Sequence, residues 1–129
     1  MTSELWLLFW SLWLFGLYLG AQALIFRWRY GIRYAASARD EELPEGELLG
    51  RAERALKNFQ ETWPVFITLA LIGQLAMPGE PLMFWGAIVW FAARIAYLPL
   101  YLFGVFMIRS LVWNVSLLGL IIMGWPVLF

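Results

Sequence analysis

Apolar positions in this chain come in long unbroken runs rather than in alternation. The first reaches from Leu5 to Phe26, twenty-two residues without a charge. About twenty apolar residues in a helix cross a bilayer core, so a spanning helix is predicted over 5–26. Ala21-Gln22-Ala23 resembles a cleavage box, but no basic residue precedes the run and Glu4 is acidic. The run is also longer than the h-region of a signal peptide, so the expectation is an uncleaved anchor. Arg27, Trp28, Arg29, Tyr30 and Arg33 follow at once, the cations and rings that suit a headgroup layer.

A polar stretch from Ser37 to Gly50 holds Arg39, Asp40, Glu41, Glu42, Pro44, Glu45, Gly46 and Glu47 and reads as an exposed loop. The second helix is predicted over about 48–77. Its first turns carry Arg51, Glu53, Arg54, Lys57 and Glu61, and only Thr62 to Met77 is apolar, which is short for a span. Its amphipathic start must dip into the membrane against other protein, and Pro64 is a candidate bend. Met77-Pro78-Gly79-Glu80-Pro81 is a turn. The third helix is expected over about 82–103 and the fourth over about 108–128, with Gly104 to Arg109 as a short link or a helix continuation. The predicted fold is all-α: one domain, an integral membrane four-helix bundle.

Composition sharpens this picture. The 129 residues are 63% hydrophobic and 14% charged, more apolar surface than a soluble domain of this size can hide, so lipid is an expected partner. Formal net charge is zero, which argues against nucleic acid as a partner. Cysteine and histidine are absent. That removes disulfides, thiolate and imidazole metal sites, and nucleophiles activated by either residue. No metal site is expected, and any reactive group must come with a substrate or cofactor. Seven of the nine basic residues lie between Arg27 and Lys57, and Arg109 lies in the third link. The positive-inside rule then puts the first and third links in the cytoplasm and both termini outside.

The polar residues within the apolar runs are the candidates for chemistry. Arg54, Asn58 and Glu61 share one helical face at i, i+4 and i+7, and Arg94, Tyr97 and Tyr101 share one at i, i+3 and i+7 on the third helix. An arginine this deep needs protein or water around it; Glu61 is the natural partner, and Arg94 is expected within hydrogen-bonding reach of Glu61 or Asn58, in its own subunit or a neighbour. These residues either hold helices together or frame a guanidinium-rich pocket for a small ligand with carboxylates, and the two readings are compatible. Trp6, Trp10 and Trp13 form a stripe that suits lipid or packing. The acidic run Asp40 to Glu47 reads as a solvated loop, without the spacing of a metal loop.

Arg51-Ala-Glu-Arg54-Ala-Leu-Lys57-Asn58-Phe-Gln-Glu61-Thr-Trp-Pro64 resembles the second-helix signature of the MAPEG superfamily, the membrane-associated proteins of eicosanoid and glutathione metabolism. Arg94-Ile-Ala-Tyr97-Leu-Pro-Leu-Tyr101 resembles its third-helix motif, and Ser37-Ala-Arg39-Asp40-Glu41 the first-loop pattern of bacterial members. The resemblance covers nearly the whole chain. It implies a homotrimer in a bacterial inner membrane, with glutathione between subunits near the cytoplasmic side. Carried over by position, it implies glutathione contacts from Arg54, Lys57, Asn58, Glu61, Arg94, Tyr97 and Tyr101, with Lys57 standing where some members have arginine. Arg27 resembles a carboxylate-binding arginine of the prostaglandin-forming members. Arg109-Ser110 resembles the pair that holds the thiolate, at a slightly different spacing from Tyr101 than in the animal enzymes. The implied activity is a glutathione-dependent transferase or peroxidase acting on lipophilic electrophiles. The superfamily also includes a non-enzymatic member, which implies a second possibility: a lipid-binding protein or an accessory subunit of a larger membrane complex.

Overall fold

The computed structural model describes residues 3–38, 46–105 and 107–129. The described residues are helical throughout, with no strand: α1 (Ser3–Tyr30), α2 (Ile32–Ala36), α3 (Gly46–Ala76), α4 (Pro81–Leu102) and α5 (Ile108–Leu128). Three of these, α1, α4 and α5, are long and apolar enough to cross a membrane. The charged first turns of α3 keep it out of that group. The residues from Arg39 to Glu45, expected as a loop, lie outside the described set.

Helix α1 runs past the expected end at Phe26 to Tyr30, with Arg27 and Arg29 in its last turn, where cations oppose the partial negative charge of a helix C-terminus. Gly31 stops it with φ of 91°, a conformation open to glycine and costly for other residues. The short α2, not singled out in the sequence, follows. Pro64 lies inside α3, and the Thr68 hydroxyl donates to the Pro64 carbonyl at 2.7 Å. Pro81 occupies the first position of α4, where a missing N–H costs nothing, and Glu80 caps that helix by accepting from the Leu82 N–H. Residues 103–105 and 107 belong to neither α4 nor α5, so the third connection is a link and not a helix continuation.

The core lies where α1, α3 and α4 meet. Phe66 stacks on Trp90 with ring centroids 4.0 Å apart, and Phe15 stacks on Trp63 at 4.8 Å. Tyr18 and Phe59 fill the space between the helices and are fully buried. By contrast Trp6, Trp10 and Trp13 face outward, which suits a lipid or subunit surface.

Helices α4 and α5 approach most closely at Gly86 and Gly119. A Cβ on Gly86 would stand 2.6 Å from the Gly119 carbonyl oxygen and 2.8 Å from the Met123 backbone nitrogen. Both obstacles are backbone, so no side-chain rotation relieves them. In lipid, such small residues let helices gain packing contacts that water does not drive. Gly86→Ala should therefore cost about 1–3 kcal/mol, the range for overpacking. Unfolding in mixed micelles checks this, with Gly124→Ala, where nothing stands in the way, as the tolerated control.

Candidate functional site

The polar residues of α3 and α4 meet at the buried guanidinium of Arg94. Its side chain is 0% exposed. Nη1 donates to Asn58 Oδ1 at 2.6 Å, and Nη2 donates to Thr62 Oγ1 at 2.7 Å. The guanidinium carbon lies 5.2 Å from the Tyr97 ring centre. The Tyr18 hydroxyl donates to the Arg94 carbonyl at 2.7 Å and ties α1 to the same turn of α4. Arg94 Nε has no partner.

Of the two partners expected for Arg94, Asn58 is the one it holds, while Glu61 is exposed and makes no ion pair with it. The geometry explains the choice. Successive residues of a helix point about 100° apart, so Glu61 and Thr62 flank Asn58 on opposite sides. Helix α4 packs on the Thr62 side, and a guanidinium fork reaches two acceptors one turn apart. Thr62 escaped the sequence analysis although its spacing of four from Asn58 was a usable signal.

A cavity of about 220 Å³ opens beside this cluster, lined by Asn58, Tyr97, Tyr101, Arg109, Ser110 and Trp113. Arg94 is behind its wall. Arg54 Nε donates to the Tyr101 hydroxyl at 3.2 Å, and the Arg109 guanidinium lies 4.9 Å from the centre of the Tyr101 ring on its other helix neighbour. Arg109 and Ser110 occupy the first turn of α5, whose N-cap residue Met107 supplies no side-chain bond. The unpaired N–H groups of such a turn favour an anion. Trp113 stands one turn after Arg109 and was not foreseen as a lining residue.

The structure thus brings Asn58, Tyr97, Tyr101, Arg109 and Ser110 to one cavity, with Arg54 attached through Tyr101. Lys57 and Glu61 are exposed on α3, and Arg27 is exposed on the last turn of α1. None of these three lines the cavity. Among the described residues no acidic side chain lines it either, so its walls offer cationic and neutral donors. Among the described residues, no group of acidic side chains could hold a metal ion.

Apolar spanning helices around a donor-lined cavity define an integral α-helical membrane protein with a polar, anion-suited pocket. The model of the MAPEG family matches residues 7–129, and the chain belongs to that family. No curated protein and no solved structure matches it.

Proposed function

We propose that this protein is a membrane-bound glutathione-dependent transferase or peroxidase acting on lipophilic electrophiles. The observation that carries the reading is the cavity built from Asn58, Tyr97, Tyr101, Arg109 and Ser110, with no acid among the described residues of its wall, in a chain of this family. Glutathione fits that donor set, since it brings two carboxylates and a thiol. When bound it supplies the nucleophile that a chain without cysteine or histidine lacks.

Arg109 and Ser110 are the residues that stabilise negative charge at the sulfur, aided by the first turn of α5. Holding a thiol deprotonated two units below its usual pKa requires about 2.7 kcal/mol of preference for the charged form. One or two charge-assisted hydrogen bonds supply that order. Arg54, Asn58, Tyr97 and Tyr101 hold the rest of the tripeptide, and Glu61, exposed outside the cavity of the single chain, accepts from its amino group across a subunit boundary.

The cavity within one chain is smaller than the roughly 300–1,000 Å³ of typical small-molecule sites. A homotrimer closes it: Arg27 and Lys57, exposed in the single chain, then reach a neighbour's site. In this arrangement α3 crosses the membrane as the fourth helix, shielded by protein. The inner membrane of a bacterium is the proposed location, with the basic segment in the cytoplasm and both termini outside. Cysteines placed at Ser37 and Glu80 should then react from opposite sides of the membrane, and labelling from one side would refute the topology. Native mass spectrometry in mild detergent should give threefold stoichiometry.

The reading is tested by conjugation of glutathione to a generic aromatic electrophile by the purified protein. Turnover above the uncatalysed rate, saturating in glutathione, is expected. Binding without turnover would favour the non-catalytic alternative, a lipid-binding protein or an accessory subunit.

A further inference from the structure

The cluster behind the cavity has a polarity that the ligand reading does not by itself require. A guanidinium only donates hydrogen bonds, so the Asn58 atom 2.6 Å from Arg94 Nη1 is its carbonyl oxygen. The orientation of that amide is therefore settled by chemistry, where an isolated amide would leave it open. The Asn58 Nδ2 group then points the other way. It makes no hydrogen bond within the chain, and it is not among the buried unpartnered side-chain atoms. It is open to the cavity that Asn58 lines.

Arg54 repeats the arrangement at Tyr101. Its Nε occupies the acceptor side of the Tyr101 hydroxyl at 3.2 Å, which leaves the phenolic proton to be given. Two neutral wall residues thus each have an arginine on the acceptor atom and a donor left over. No carboxylate among the described residues forms an ion pair with Arg94, so its buried charge has no direct counter-ion there, a costly state in a membrane.

We propose that Arg94 is a positioning residue: by taking the Asn58 oxygen from behind, it turns the Asn58 amide N–H₂ into the cavity, so that Asn58 presents only a donor there, selective for an anionic group of the ligand. This rests on the glutathione reading and deepens it. Arg94 itself does not touch the ligand; its unmatched charge and its orientation of Asn58 both favour an anion in the cavity.

The test uses full-length protein in micelles, with glutathione as the probe. Asn58→Asp keeps an oxygen for Arg94 but replaces the cavity-facing donor with an acceptor. It should unfold at or above the wild-type temperature and bind glutathione at least tenfold more weakly, the scale of a lost hydrogen bond to a charged group. Asn58 and Asn114 are the only asparagines, so ¹⁵N-asparagine labelling gives two side-chain amide signals. Glutathione should shift the Asn58 signal in the wild type. In folded Arg94→Lys, which keeps the charge and loses the planar fork, both the shift and the affinity should fall. Glutathione binding by Asn58→Asp within twofold of wild type would overturn the proposal, as would an Asn58 signal unmoved at saturation. An unchanged shift and affinity in Arg94→Lys would overturn the positioning role. If the wild type itself binds no glutathione, the ligand reading fails and this inference falls with it, a result distinct from wild-type binding that is indifferent to Asn58.

Discussion

Arg94→Leu should destabilise the protein by about 2 kcal/mol. The variant strands Asn58 Oδ1 and Thr62 Oγ1, which now accept at 2.6 and 2.7 Å, and each stranded acceptor costs about 1–3 kcal/mol. The smaller side chain also leaves a void in a fully buried place. Relief from burying an unmatched charge works in the other direction, which puts the net loss near the lower end of the sum. Removing both partners tests the assignment: Arg94→Leu with Asn58→Leu should recover part of the loss, because two apolar neighbours leave no stranded acceptor between them. Reversible unfolding in mixed micelles measures both variants against the wild type. A Leu variant more stable than the wild type would show that the cost of burying the guanidinium exceeds what its two bonds return.

Arg109→Ala should leave glutathione affinity nearly intact and reduce turnover by about ten- to a hundredfold, the rate equivalent of roughly 1.4–2.7 kcal/mol. The guanidinium lies over Tyr101 at the cavity wall and on the first turn of α5, where it meets charge that develops at the sulfur. An interaction stronger with the activated state than with the resting ligand acts on rate more than on binding. Steady-state kinetics separate the two quantities. Loss of affinity with an unchanged kcat would instead make Arg109 a carboxylate ligand.

Much of this arrangement was legible along the chain because helical spacing is rigid. The i, i+3 and i, i+4 relations that put Arg54 and Asn58 on one face, and Arg94, Tyr97 and Tyr101 on another, follow from 3.6 residues per turn. The charge-free run from Leu5 to Phe26 likewise marked α1. What spacing does not fix is how neighbouring helices rotate against each other. That rotation gave Arg94 to Thr62 rather than to Glu61, two residues adjacent in sequence and about 100° apart in direction. It also placed Arg94 behind the cavity wall and Trp113 in it. The close passage of α5 over α4 depends on Gly86 and Gly119 meeting, and glycines 33 positions apart carry no local signal of that meeting. The end of α1 was missed for a different reason. A change from apolar to basic residues marks the membrane boundary, but the helix itself continues until Gly31 adopts a positive φ.

The central claim is that the donor-lined cavity holds glutathione with its sulfur charged. The most direct measurement is a glutathione titration of the purified protein near neutral pH, followed by calorimetry and by ultraviolet difference absorption. The account predicts saturable heat at up to millimolar ligand together with a thiolate band that grows with occupancy. No heat and no band across that range would contradict it.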